Sequence, residues 1–205
     1  MPETSEDQAS RFSHHGAEHV FHFADRIKIY WLIRHFPPRF VWAGYVFMNC
    51  LITMVMLSIL AVVTRTPFVF PSLGATAYLM FFAPLAPASR PRHAILGHGL
   101  GLVCGYGALL LVGTGSVPHG IEHGVYWPTV ISAALSLAAT GALMVLFRVS
   151  HPPAGATTLI VSLGLLSKPA HLLILEFAVF LLMAQAYILN RLAGLPYPVW
   201  EREEM

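Results

Sequence analysis

Four segments of this chain are each long and apolar enough to cross a lipid bilayer as a helix. They cover about residues 40–63, 94–113, 126–147 and 171–192, and about 20 apolar residues suffice for one crossing. Only 11% of the residues are charged, against about 25% in soluble domains, and long windows beyond residue 40 hold almost none. The chain is therefore predicted to be an all-α polytopic membrane protein.

Two shorter apolar pieces lie between these segments, at 64–87 and 149–169. Each begins with an irregular, proline-bearing stretch and continues as a run of about 13 helix-compatible residues, which is too short to cross alone. The stretches PSLGATAYL and PPAGATTLI align Pro71 with Pro152 at a shift of 81 residues. The pattern long–short–long thus occurs twice, which indicates an internal duplication of the kind found in transporters.

The duplication suggests a division of the chain into four parts. We predict a cytoplasmic N-terminal segment at 1–38, a first membrane repeat at 39–114, a second at 124–193 and a cytoplasmic tail at 194–205.

Cys50 and Cys104 lie within apolar segments, where thiols usually act as small apolar side chains.

Lysine and arginine favour the cytoplasmic side of membrane proteins, so their distribution tests how often the short pieces cross. If both short pieces cross, the cytoplasmic side holds ten such residues and the outside holds only Arg65 and Lys168. If both pieces dip and return, the split is seven to five. Six crossings are therefore favoured, with three in each repeat. The second repeat must then be inserted upside down, which predicts a 3+3 inverted repeat with two broken, half-helix crossings. The ten inside residues are Arg11, Arg26, Lys28, Arg34, Arg39, Arg90, Arg92, Arg148, Arg191 and Arg202.

Irregular backbone at membrane depth is tolerated where it is buried or lines a cavity, so the two Gly-Ala-Thr elements are expected to meet at the centre of the protein. Helix N-termini present free N–H groups and a partial positive charge, and two opposed ends would bind a small anion. The alternative is that proline and glycine only kink two packed helices. The predicted substrate-binding residues are Pro71, Ser72, Gly74, Ala75, Thr76, His151, Pro152, Pro153, Gly155, Ala156 and Thr157.

Three ionisable residues are candidates for gating or proton coupling: His98, Arg148 and Glu176. Glu176 lies in an apolar segment and is expected to face the interior, towards His98, His171 or a hydroxyl. His151 could donate to the anion or act as a pH-sensitive gate, and a purely structural role is equally open. Gly74 and Gly155 are expected to allow close backbone approach. No catalytic residue, metal site or cofactor is predicted.

The glycines of the third segment follow a spacing of four, at Gly97, Gly101 and Gly105. This small-xxx-small pattern favours close helix packing, either against another crossing or against a second subunit, and a homo-oligomer is possible.

The N-terminal region carries His15, His19 and His22 at the spacing of one helix face. Metal binding is conceivable, but an amphipathic helix over 16–36 lying on the cytoplasmic membrane surface fits the sequence better. Tyr30 and Trp31 suit the interface, and nearby basic residues suit anionic headgroups. No basic, apolar signal peptide precedes this region, so both termini are expected in the cytoplasm.

The assembled segments resemble one family. SHPPAGATTLIVSLG, FPSLGATAYLMF, APLAPASRPR and LGH at 96–98 are similar to the signature segments of the HPP family of integral membrane proteins, and the similarity covers about residues 38–192. Relatives in chloroplasts and cyanobacteria are linked to nitrite transport, which implies a small monovalent anion here. Thr158 and His93 depart from the residues expected at those positions.

The function predicted first is a transmembrane channel or carrier for a small monovalent anion, with nitrite the leading candidate, in the bacterial inner membrane. The partners expected are the anion and the lipid bilayer, and not nucleic acid. Alternatives are a proton-coupled transporter of another small solute and a membrane adaptor that binds a partner through its N-terminal helix. An intramembrane enzyme using His98, His151 and Glu176 is disfavoured, because no nucleophile–base pair or metal ligand set is visible.

Overall fold

The computed structural model describes residues 28–66, 68–113 and 126–200, and within these ranges the chain is helical and contains no strand. A short 3-10 turn at Pro87–Ser89 joins the third and fourth helices. The described residues form seven α-helices, which are α1 Ile29–His35, α2 Pro38–Thr64, α3 Pro71–Phe82, α4 Pro91–Val112, α5 Trp127–Leu146, α6 Pro153–Ser162 and α7 Pro169–Leu192.

The four long helices α2, α4, α5 and α7 are each long and apolar enough to span a membrane. This confirms the predicted polytopic, all-helical class. The short helices α3 and α6 have 12 and 10 residues, or about 18 and 15 Å of helix, against a hydrocarbon core of about 30 Å. The described helices therefore follow the order long–short–long twice, as α2–α3–α4 and α5–α6–α7.

Proline marks the start of most of these helices. Five of them begin at a proline, and α5 has one at its second residue. A proline in the first turn costs no hydrogen bond, because that N–H would have no partner in the helix, and its fixed φ already suits the helix. The sequence positions of the prolines thus set the boundaries between the extended and helical parts of each short apolar piece.

The glycine stripe of α4 packs against α6. A methyl group on Gly97, Gly101 or Gly105 would come within 2.8 Å of the Cβ of His151, the carbonyl oxygen of Ala154 and the carbonyl oxygen of Thr158, respectively. The partner of the stripe is therefore another helix of the same chain. Because successive glycines meet successive turns of α6, the two helices run in the same direction. A chain with six crossings requires α4 and α6 to run in the same direction. The inversion of the second repeat stays a prediction.

The core between α2, α3 and α7 is apolar, and polar contacts brace it. Leu57, Leu73 and Leu182 are fully buried there. The hydroxyl of Tyr45 donates to Oδ1 of Asn190 at 2.7 Å and so ties α2 to α7. Interhelical hydrogen bonds of this kind supplement van der Waals packing in membrane proteins, where lipid offers no hydrophobic driving force between helices.

The described ends of the chain meet on one side of the bundle. The N–H of Ile29 in α1 donates to the carbonyl of Ala193 at 3.0 Å, and Gly194 lies against the side chain of Lys28. An even number of crossings places both ends of the chain on one side.

The predicted surface helix over 16–36 is described only from residue 28 onward. The histidines at 15, 19 and 22 lie outside the described residues.

Candidate functional site

Two threonines and two histidines form a buried polar cluster where α3, α4 and α6 meet. Thr76 belongs to α3, His98 to α4 and Thr157 to α6, and His151 lies two residues before α6. All four side chains are 0% exposed. Thr76 and Thr157 are the matching threonines of the two Gly-Ala-Thr elements, so the duplicated elements of both halves of the chain contribute to one cluster.

His98 links the two threonines. Its Nε2 lies 2.9 Å from Oγ1 of Thr76, and its Nδ1 lies 2.7 Å from Oγ1 of Thr157. The same Oγ1 of Thr76 also lies 3.1 Å from Nε2 of His151. The cluster is thus a continuous hydrogen-bonded chain from Thr157 through His98 and Thr76 to His151, and it connects both short helices to α4.

A backbone carbonyl fixes the direction of these hydrogen bonds. Nδ1 of His151 lies 2.8 Å from the carbonyl oxygen of Ala88, and because a carbonyl only accepts, Nδ1 must carry the proton. In a neutral ring Nε2 then accepts, so Thr76 donates its hydroxyl proton to His151. The oxygen of Thr76 must accept from Nε2 of His98, whose Nδ1 accepts from Thr157. The pattern assigns opposite tautomers to the two neutral histidines.

Ser72 adds a buried hydroxyl that no described group satisfies. Its side chain is 0% exposed, and its Oγ has no hydrogen-bond partner among the residues that the structure describes. Ser72 lies one turn before Thr76 on the same face of α3, and its carbonyl oxygen lies 2.9 Å from Oγ1 of Thr76. A buried polar group without a partner is costly and calls for an explanation.

The first-turn N–H groups of the short helices are mostly engaged by local carbonyls. Ala154 and Gly155 donate to the carbonyls of His151 and Pro152, each at 3.0 Å, and Leu73 donates to that of Phe70 at 2.9 Å. The free N–H groups expected at the start of α6 are therefore occupied in this conformation. The available donors at the cluster are therefore side chains rather than the helix N-termini on which the sequence argument relied.

A cleft of about 450 Å³ borders the cluster at the start of α6. Arg148 lies at its exposed edge and adopts a left-handed backbone, with φ of 53°. The predicted gating residue thus lines the same cleft as the histidine of the His-Pro-Pro motif. The lining residues are Gly141, Met144, Val145, Arg148, Val149, Ser150, His151 and Pro152.

The remaining predicted site residues are less buried than the four residues of the cluster. Those on exposed positions are Pro71, Ala75 and Pro152, and those partly buried are Gly74, Pro153, Gly155 and Ala156. The expected close backbone approach is wrong for Gly74, because a methyl group there would meet no atom within 4 Å. At Gly155 it would meet only the Leu137 side chain, at an ordinary 3.4 Å. The close approach occurs instead on α4.

Glu176 does not make the predicted hydrogen bond. Its Oε2 is buried without a hydrogen-bond partner in the described part of the chain. Its Oε1 lies 3.9 Å from where a methyl group on Gly99 would be. The carboxyl group therefore lies against the backbone of α4 rather than on His98, and it is not part of the cluster.

Several contacts that hold the cluster were not predicted. Ring atom Nδ1 of His93 accepts from the N–H of Ser150 at 3.1 Å, and Oγ1 of Thr140 lies 3.0 Å from Oγ1 of Thr158. His93 and Thr158 are the two positions at which the sequence departs from the family pattern. This departure was the available sequence signal that these residues make contacts of their own. The Ala88 carbonyl could not be foreseen, because backbone acceptors carry no sequence signature.

The C-terminal segment braces the turn that supplies this carbonyl. The hydroxyl of Tyr197 donates to the carbonyl of Ser89, and the Ser89 hydroxyl donates to that of Ala83 at 2.7 Å. Burial, and secondarily Tyr45, raises the pKa of Tyr197 above its ordinary value, so the phenol stays a donor at neutral pH. Tyr197 thus holds the turn one residue from the acceptor of His151.

The transmembrane region of the HPP family matches residues 37–198 of this chain. The chain belongs to the HPP family. The match covers every helix from α2 to α7 and all four residues of the cluster, so the buried site of this HPP protein lies entirely within the family region. Searches of curated proteins and of solved structures gave no match. Membership establishes an integral membrane protein.

Proposed function

We propose that this HPP protein is a transmembrane channel or carrier for a small monovalent anion, which binds at the Thr76–His98–His151–Thr157 cluster beside Ser72. The observation that supports this most is the Ser72 hydroxyl, fully buried and without a partner one turn from Thr76. An anion accepting that proton would satisfy a group that the protein leaves unsatisfied.

The chemistry of the cluster suits an anion better than a cation. Its side chains are hydroxyls and imidazoles, which can donate protons, and no carboxylate hydrogen-bonds to them in the described residues. Sites for hard cations such as Ca²⁺, Mg²⁺ and K⁺ are built instead from carboxylate and carbonyl oxygens. Two short helices whose N-terminal halves approach the cluster add a partial positive field.

Nitrite is the first candidate among small anions. This choice rests on the resemblance to chloroplast and cyanobacterial relatives linked to nitrite transport.

A Ser72→Ala variant tests the observation directly. Because the Ser72 hydroxyl has no protein partner, its removal should leave the melting temperature in detergent unchanged or slightly higher. If the hydroxyl binds the anion, nitrite uptake into proteoliposomes should fall. Ser58→Ala, on the exposed face of α2, is the matched control and should transport like the wild type.

Two results would count against the proposal. One is nitrite uptake by the wild type no faster than into protein-free liposomes. The other is full uptake by both Ser72→Ala and a Gly155→Leu variant, since a larger side chain at Gly155 would press on Leu137. Gly107→Leu, where an added methyl group meets nothing within 4 Å, controls for bulk alone.

A further inference from the structure

We infer that the anion crosses this HPP protein together with one proton, which His151 holds while the anion is bound. The cargo as a whole is then electrically neutral, an anion with the proton of its conjugate acid. This inference rests on the proposed function and concerns the coupling of that same site.

The hydroxyl of Thr76 has more hydrogen-bond acceptors around it than it has protons to donate. Its Oγ1 is within hydrogen-bond distance of Nε2 of His98, Nε2 of His151 and the carbonyl of Ser72. The hydroxyl has one proton to donate, and two of these three groups, the His151 ring nitrogen and the Ser72 carbonyl, are acceptors when His151 is neutral. One acceptor is therefore always left over in the neutral state.

A proton on His151 resolves this competition. Nε2 of His151 then becomes a donor to Thr76, Thr76 turns its own proton to the Ser72 carbonyl, and His98 continues to donate to Thr76 through Nε2. Every contact of Thr76 is then used, with two bonds accepted and one donated. The neutral and protonated states thus differ by rotation of one hydroxyl, and the rings need not move.

The proton transfer requires no other reactant. A proton that comes from water on one side of the membrane adds to the lone pair of Nε2 of the buried ring and forms an N–H bond. The same bond breaks when the proton returns to water on the other side, and no electrons are exchanged. His151 keeps its Nδ1–H bond to the Ala88 carbonyl in both states.

Within the described residues, no carboxyl group is hydrogen-bonded to the ring of His151. Helices α3 and α6 contain no acidic or basic side chain, apart from the phenol of Tyr78. In the described part of the chain, the titratable groups beside the ring are His93 and His98 on α4 and Arg148 in the adjoining cleft, all of them basic, and Arg90 follows Ala88 by two residues. The nearest carboxyl group from α7 is Glu176, which lies against Gly99.

Coupling follows from this charge balance. A buried cation without a partner is costly, and so is a buried anion. Each stabilises the other, so binding of the anion raises the affinity of His151 for a proton and the proton raises the affinity for the anion by the same factor.

The first test measures charge and protons together in proteoliposomes that contain a pH-sensitive dye. External nitrite should acidify the lumen by one proton per nitrite taken up, at a rate that an imposed pH gradient changes and a potassium–valinomycin potential does not. Protein-free liposomes give the background from passive diffusion of nitrous acid. Protein-dependent uptake that follows the potential without acidification would overturn the coupling and leave the anion function standing. No protein-dependent uptake would overturn both.

The second test observes the histidine itself. In nitrogen NMR spectra of protein labelled with ¹⁵N-histidine and reconstituted at pH 7, the ring signals that vanish in His151→Gln should show Nδ1–H and a bare Nε2. Saturating nitrite should shift them to the doubly protonated form. A ring that stays neutral under nitrite would overturn the inference. The Thr76→Ser variant keeps the hydroxyl that rotates between the two states and should retain the change in the His151 ring signals. The Thr76→Val variant should lose it.

Discussion

Gly97 of α4 lies directly against the side chain of His151, and a methyl group added to Gly97 would come within 2.8 Å of the His151 Cβ. The glycine therefore leaves the space that the histidine of the His-Pro-Pro motif occupies. Since both rings of the cluster are buried and hydrogen-bonded, the spacing between α4 and the start of α6 determines whether His98 and His151 can both reach Thr76.

Replacing Gly97 with alanine should therefore destabilise the protein and disturb the cluster. The cost of overpacking is about 1–3 kcal/mol, visible as a lower melting temperature of the detergent-solubilised protein. Gly107→Ala is the matched control, because on the same helix a methyl group there meets nothing within 4 Å. Equal melting temperatures for the two variants would show that α4 and α6 are not packed at this distance.

The direction of α6 relative to α4 predicts on which side of the membrane two connecting turns lie. Leu85 lies between α3 and α4, and Lys168 lies between α6 and α7, and both are exposed. Six crossings put these turns on opposite sides of the membrane, whereas short pieces that dip and return put them on the same side. In a background without Cys50 and Cys104, Leu85→Cys and Lys168→Cys should react with a membrane-impermeant maleimide from opposite sides of oriented vesicles. Labelling from the same side would refute six crossings.

Because of Tyr197, the stability of the folded protein should decline as the pH becomes alkaline. Its pKa is raised in the folded state by burial, so the folded protein holds the phenolic proton more tightly than the unfolded chain. The stabilisation is complete below about pH 10, the ordinary pKa of tyrosine, and declines as the pH rises further. Tyr197→Phe should be less stable at pH 8 by about 1 kcal/mol and should lose less stability from pH 9 to 11. Parallel curves for the two proteins would contradict this role.

Much of the architecture could be predicted because a bilayer restricts the chain so strongly. The apolar segments predicted at 94–113 and 171–192 correspond to α4 and α7 within a few residues. Proline positions identified the starts of α3 and α6, since only a first-turn position tolerates the missing N–H. The charge count predicted the direction of α6 relative to α4, because each added crossing reverses the chain.

The site was predicted less completely. Matching Thr76 with Thr157 identified the residues that meet, because duplicated elements occupy equivalent places in their repeats. His98 has no counterpart in the duplication, since the position 81 residues later is Val179, so its place between the two threonines could not be derived. The expected partner of Glu176 was wrong because sequence alone does not give the rotation of a helix about its axis.

The Thr157 hydroxyl gives the most direct test of the central claim, that a small anion crosses at the buried cluster. This hydroxyl donates to Nδ1 of His98 at 2.7 Å, so Thr157→Val removes the donor while keeping the shape, and Thr157→Ser keeps it. Nitrite uptake by proteoliposomes with equal amounts of folded protein should be close to wild type for Thr157→Ser and roughly tenfold slower for Thr157→Val. Wild-type uptake no faster than in protein-free liposomes, or equal uptake by Thr157→Val and the wild type, would contradict the account.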